Sequence, residues 1–140
     1  MKRTASAHWQ GKIKDGKGTL ATQTGVLAAT PYSFHSRFED GTETNPEELL
    51  GAAHAGCFTM ALSLFLEKAG FTAESLSTRA TVTIEPAGGG FAITGIHLEL
   101  TGSVPGIDAG KFKEVAEDAK ANCPVSAALK VPITLETTLS

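Results

Sequence analysis

This sequence has no strong excess of charge of either sign and no place where charge gathers: 12 lysines and arginines stand against 15 acidic residues over 140 positions, a formal charge of -3. The lysines are scattered rather than drawn into a stripe, which argues against nucleic acid as a partner. Cysteine is scarce, with only Cys57 and Cys123. Two thiols with no CxxC pair and no His/Cys cluster exclude a disulfide scaffold and a structural zinc site, leaving inert core thiols or redox chemistry. The opening "MKRTASAHWQGK" has a basic start but no apolar run behind it, so it does not read as a secretory signal, and the expected address is the cytoplasm. Low-complexity segments and internal repeats are also lacking, and a single domain spanning residues 1–140 is expected.

The most informative absence is local. In "NPEELLGAAHAGCFTMALSLFLEKAG" no charged residue stands between Glu48 and Glu67. The run Leu49 to Leu66 approaches the length of a membrane span, about 20 residues. Against that reading, His54, Thr59, Ser63 and two glycines interrupt it and no basic flank anchors it, so no membrane partner is expected. A helix apolar all round is more simply a helix buried all round. Asn45 suits the N-cap, Pro46 the first helical position and Glu48 the third, and Gly70 supplies a stop. The small residues Gly51, Ala52, Ala53, Ala55 and Gly56 would let another backbone approach closely, which points to a tight, symmetric homodimer; the alternative is that the chain's own second sheet and helices cover the helix.

The rest of the chain alternates strand and helix signals. "AHWQGKIK" and "GTLATQTGVL" flank "DGKG", where Asp15, Gly16 and Gly18 are expected to supply the positive-φ positions of a hairpin. "YSFHSRFE" reads as a third strand by its alternation. "ESLSTRATVTIEP" and "FAITGIHLELTGSV" keep period two and predict a second hairpin. Phe112, Val115, Ala116 and Ala119 fall at helical spacing within Lys111 to Ala121; a short helix from Pro124 to Lys130, capped by Asn122 or Cys123, and a last strand "PITLETTL" follow. The expected class is α+β, with antiparallel sheets and a long buried central helix.

Each thiol has a bland explanation as a core residue. Cys123, at the cap of a short helix, faces unsatisfied amides and the positive end of the dipole, and local physics nominates it as the more reactive of the two. A compact fold can bring both together as a pair cycling between dithiol and disulfide. A reactive thiolate needs a cation, for which Arg37 and Arg79 are the candidates, and Glu47 offers a carboxylate to fix the guanidinium of Arg37. On one unbroken helix, Glu47 and Cys57 lie roughly 15 Å apart along the axis at 1.5 Å per residue. Either Gly51 breaks that helix, or Arg37 and Glu47 serve the Cys57 of a second subunit. His54, one turn before Cys57, offers a competing Cys/His pair for hydrolysis or metal binding.

Taken together, "AHWQG", "GKGT", "PYSFHSRFE", "TNPEELLGAAHAGCFTMALSL", "FAIT", "VPGID" and "NCPVS", in that order, resemble the OsmC/Ohr family of thiol-dependent organic hydroperoxide peroxidases, on its osmotically inducible protein C branch. The resemblance implies that Cys57 in "AAHAGCF" is the peroxidatic cysteine, that Cys123 in "NCPVS" resolves it, and that Arg37 and Glu47 polarise the reactive thiol. The Ohr branch takes its arginine from a GRxG-like turn in the first hairpin, and "DGKG" has none, which favours Arg37. The family's fold implies an intertwined homodimer with sites at the subunit interface. Its chemistry implies an organic hydroperoxide substrate and an external dithiol reductant, such as a lipoyl type, with no metal or other cofactor. Phe38, Phe58 and Met60 are candidate pocket walls. The readings that compete with a peroxidase are a dimeric stress-related binding protein with structural thiols, and a Cys/His hydrolase.

Overall fold

The computed structural model describes residues 1–140 as β1 (Ala5–Gln10), β2 (Lys17–Thr22), β3 (Thr30–Tyr32), α1 (Phe34–Phe38), α2 (Pro46–Lys68), β4 (Ser75–Ala87), β5 (Gly90–Ser103), α3 (Ala109–Asn122), α4 (Pro124–Ala128) and β6 (Ile133–Leu139). The architecture is mixed α+β with two three-stranded sheets, β1-β2-β3 and β4-β5-β6. The chain forms two compact units, Met1–Leu49 and Leu50–Ser140.

In the N-terminal unit β1, β2 and β3 make an antiparallel meander, with Ala5 opposite Thr22 and Gly18 opposite Tyr32. The glycines of its first turn have a different purpose from the expected one. Gly11, not Gly16 or Gly18, carries the positive φ, at 91°. Gly18 is needed for closeness: a Cβ there would lie 2.4 Å from the Tyr32 ring and 2.6 Å from that of Trp9.

The expected third strand also needs correction. Strand pairing ends at Tyr32, and "FHSRF" turns into α1 because Ser33 accepts from the Ser36 amide while the Ser36 hydroxyl accepts from the Ser33 amide. Reciprocal capping satisfies two donors that an extended chain would leave to a neighbour, and it outweighs a short alternation of aromatic and polar residues. The Ser36 hydroxyl donates to the Thr44 carbonyl at 2.8 Å and the Ser33 hydroxyl to Glu43 at 2.8 Å. These bonds fold the loop after α1 back to the start of α2, where Asn45 accepts from the Glu48 amide as an N-cap should.

Helix α2 is unbroken through Gly51. It ends at Lys68, just before Gly70, where φ reaches 88° and the Phe71 amide donates back to Leu66, the pattern that glycine permits past a helix C-terminus. By length and composition it is apolar enough to cross a membrane, yet only 28% of its most apolar window is buried within the chain. The expectation of burial all round therefore fails for a single chain: Phe58, Leu62 and Leu66 are fully buried, while Met60 is 77% exposed.

The C-terminal unit holds the hydrophobic core. β4 and β5 form a long antiparallel hairpin whose tip uses the positive φ of Gly88 and Gly89. β6 corrects the all-antiparallel expectation, because it runs parallel to β5, from Ile96 opposite Ile133 to Gly102 opposite Leu139. The cause is the connection. A strand that returns after two helices arrives from the same end as the strand it joins, whereas a tight turn would reverse it. Ile96, Leu98 and Leu100 of β5 pack with Phe112, Val115, Ala116 and Ala119 of α3, the helical face that the spacing predicted. Gly102 leaves room for this packing, since a Cβ there would sit 2.5 Å from the Phe112 ring.

Candidate functional site

Arg37, on the last turn of α1, reaches Glu47 in the first turn of α2. Its Nε donates to Oε1 at 3.1 Å and its Nη2 to the same oxygen at 2.9 Å, with a longer contact from Nε to Oε2 at 3.3 Å. Glu47 is buried and Arg37 is half-exposed, its guanidinium 5.1 Å from the centroid of the Phe38 ring. A buried carboxylate holding one edge of the planar fork through two nitrogens leaves the cation little freedom to turn. Arg37 and Phe38 line a hollow of about 240 Å³ with Trp9, Ile13, Tyr32, Ser33 and Phe34. Arg79, the other candidate cation, is an exposed side chain on β4 with only a loose contact to Glu99, at 4.0 Å.

The C-terminal unit brings the two thiols together. Both are free, Cys57 half-buried on α2 and Cys123 fully buried at the junction of α3 and α4. Burial pushes the Cys57 thiol above its ordinary value; a hydrogen bond from the Val125 backbone opposes the rise, and the neighbouring Cys123 side chain adds to it. Cys123 caps α4, as expected, with the Ser126 amide donating to its Sγ at 3.3 Å. Its thiol also donates to the Ser126 hydroxyl at 3.1 Å.

His54 does not turn to Cys57 for its hydrogen bond. Its Nε2 lies 2.7 Å from the Ser126 Oγ, and its Nδ1 is buried without a partner. Burial lowers its pKa, because the imidazolium would lose its hydration. Ser126 is the functional candidate that sequence reasoning missed, although it stands three residues after the cap cysteine, the position whose amide a cap side chain receives. Of the candidate walls, Phe58 is fully buried in the core, Phe38 lines the hollow beside Arg37, and Met60 lines a second, open depression with Ala55, Gly56, Thr59 and Leu76.

The chain is similar to proteins of one family. The family model described as OsmC-like protein matches residues 39–138. The chain is 54% identical over 134 residues to the peroxiredoxin OsmC of Escherichia coli, covering 96% of this chain and 94% of that protein. It is 34% identical over 114 residues to the organic hydroperoxide resistance protein of Xanthomonas axonopodis pv. citri, covering 80% of this chain and 76% of the relative. Among solved structures, an organic hydroperoxide resistance protein from Elizabethkingia anophelis superposes with a TM-score of 0.67 at 26% identity, covering 100% of this chain and 97% of that one. An OsmC-like protein of unknown function from Vibrio cholerae shares the fold at a TM-score of 0.76 and 15% identity, covering 99% of both chains. The chain belongs to the OsmC-like protein family.

Proposed function

We propose that this protein reduces organic hydroperoxides to alcohols with a pair of cysteines. The observation that carries the reading is the pair of free thiols set beside each other, Cys57 half-buried and Cys123 behind it, in a chain whose relatives are named a peroxiredoxin and organic hydroperoxide resistance proteins. The Cys57 thiolate attacks the terminal oxygen of the hydroperoxide and the O–O bond breaks. The alkoxide takes a proton and departs as alcohol, leaving Cys57 as sulfenic acid. Cys123 attacks that sulfur, a disulfide forms and water leaves; an external dithiol then restores both thiols by exchange. Apart from that external dithiol, protein groups supply the cycle, without a metal or bound cofactor. A hydrocarbon tail is favoured in apolar surroundings by about 0.8 kcal/mol per methylene, which selects organic over hydrogen peroxide.

The cation comes from a second copy in this reading. Burial holds Cys57 protonated, so a nucleophile at neutral pH requires a positive charge beside it. Glu47 and Cys57 are ten residues apart on one continuous helix, roughly 15 Å along its axis at 1.5 Å per residue, which favours the two-subunit alternative over a broken helix. The apolar surface of α2 that its own chain leaves bare supports the same arrangement, an intertwined homodimer with α2 as its spine and not as a membrane span. The reducing cytoplasm suits a chain whose two thiols are free.

The deciding measurement is a thiol count by mass spectrometry on reduced protein, before and after one equivalent of cumene hydroperoxide, with peptides mapped for a Cys57 to Cys123 link. Stoichiometric linkage with alcohol release is the expected result. Two free thiols after treatment would overturn the peroxidase and leave a binding protein with structural thiols.

A further inference from the structure

The mechanism above uses Cys123 but leaves its proton unplaced. The thiol donates to the Ser126 hydroxyl, and that hydroxyl lies 2.7 Å from His54 Nε2, so a continuous chain runs from Sγ through Oγ to the imidazole. All three side chains are nearly or fully out of solvent, with exposures of 0% for Cys123, 7% for Ser126 and 0% for His54. With the thiol donating to serine and serine to Nε2, the imidazole proton sits on Nδ1, where it meets no acceptor. A histidine kept for packing is ordinarily satisfied at both nitrogens, and leucine would fill the same space without an orphaned donor. What the ring adds is an acceptor at the end of a path that begins on a thiol.

We propose that His54, acting through the Ser126 hydroxyl, accepts the proton of the Cys123 thiol as that thiol condenses with oxidised Cys57. The inference rests on the resolving role given to Cys123 above. In the step, the Cys123 S–H bond breaks, its electron pair forms the S–S bond, and the S–O bond of the Cys57 sulfenic acid breaks. The thiol proton passes to Ser126 Oγ while the serine proton passes to Nε2. The departing hydroxide takes up a proton from solvent and leaves as water, and His54 later returns its own to solvent. Cys123 sulfur is oxidised and Cys57 sulfur reduced to the common disulfide level. The thiol proton becomes more acidic as Sγ gives up its electron pair, so a weakly basic imidazole suffices. The Ser126 amide, 3.3 Å from Sγ, steadies the negative charge that develops there. The His54 ring is met by Ser126 from α4, with Cys123 next along the hydrogen-bonded chain, and Cys57 lies one turn further along its own helix. Burial alone shifts its titration, with no charged side chain contributing, so the ring is neutral and ready to accept at neutral pH. His54 is a positioning residue here, since it touches the reacting sulfur only through serine.

The test separates two steps on reduced protein mixed with one equivalent of cumene hydroperoxide: Cys57 oxidation, trapped with dimedone, and Cys57–Cys123 linkage, read after acid quench by mass spectrometry. His54→Gln places an amide where Nε2 lies, so it can accept the serine hydrogen bond but no proton; Ser126→Ala cuts the path. Both are expected to oxidise Cys57 within about twofold of the wild-type rate and to link about 100-fold more slowly, the low end of what a positioned acid or base contributes. The wild-type linkage rate should fall on an acid limb with a midpoint below the ordinary imidazole range, and that limb should be missing in His54→Gln. Linkage at the wild-type rate in both variants would overturn the proposal. Should either variant lose its fold, the wild-type profile decides: a linkage rate flat through that acid range overturns it, and an acid limb there upholds it. A wild-type protein that oxidises at Cys57 yet never links fails differently, because it removes the resolving role of Cys123 itself.

Discussion

The two units of this chain differ in what they bury, although the second also encloses two polar side chains, His54 and Ser126. In the N-terminal unit the buried side chains are Ser36, Asn45 and Glu47, all polar. In the C-terminal unit thirteen apolar residues from Phe58 to Cys123 form one cluster. Backbone pairing, reciprocal capping, the Arg37–Glu47 ion pair and aromatic contacts such as that of Trp9 with Tyr32 therefore hold the first unit, whereas removal of apolar surface from water dominates in the second. The chemistry divides the same way: the fixed cation lies in the polar unit and the thiols in the apolar one. Under the function proposed above, such a division lets one unit supply charge and the other carry the thiols.

The sharpest way to break the comparison is to empty the core. Phe112→Ala should remove about 3–5 kcal/mol of stability, the usual range for a fully buried aromatic, read as a lower denaturant midpoint. An equal truncation in the first unit, Phe38→Ala, should remove far less, since no apolar side chain there is fully buried. Equal losses would mean that the first unit has a concealed core of its own, and the contrast would fail.

The charge side is tested by Arg37→Met. The first oxidation of Cys57 should slow roughly 100-fold, the low end of what one positioned donor supplies to a developing charge. Under the function proposed above, the pH at which Cys57 becomes alkylated should rise, since that reading assigns Arg37 of a second copy to offset the burial of the thiol. An unchanged alkylation profile would count against Arg37. Glu47→Gln keeps an acceptor oxygen for the guanidinium while removing its charge, so about a 10-fold loss is expected from misalignment alone. Measuring both steps separately should leave disulfide formation untouched in either variant.

The sequence carried the local grammar well. The caps of α2 and α4, the stop at Gly70 and the buried face of α3 all follow from residues within a few positions of one another. The parallel pairing of β6 did not, because strand direction depends on where a connection returns. α1 was hidden for a different reason: its signal, Ser33 and Ser36 capping each other, is as local as any other, but an alternation of aromatics covered it. The least legible feature is the bond between His54 and Ser126, 72 positions apart, since neither neighbourhood holds any trace of the other. Spacing put His54 and Cys57 on one helix face, and that proximity in sequence suggested a partner other than the one the ring takes.

The smallest effect concerns His54 and the stability of the unit that buries it. Burial depresses its pKa, so as pH falls the unfolded chain binds the proton first. Its contribution is therefore fully present above the ordinary imidazole value of about 6.5 and is lost below it as pH drops toward the folded value. Within that window the slope can reach at most about 1.4 kcal/mol per pH unit for one site. Urea midpoints at pH 7.5 and 5.5 should then fall further apart in wild type than in His54→Gln, which has no site to titrate. His8, His35 and His97 are unchanged by that substitution, so the difference between the two proteins isolates the buried ring. If the gap between midpoints is the same in both, His54 is not held neutral by its surroundings, and the dry, apolar character assigned to the thiol-bearing unit would be wrong at the place where it matters most.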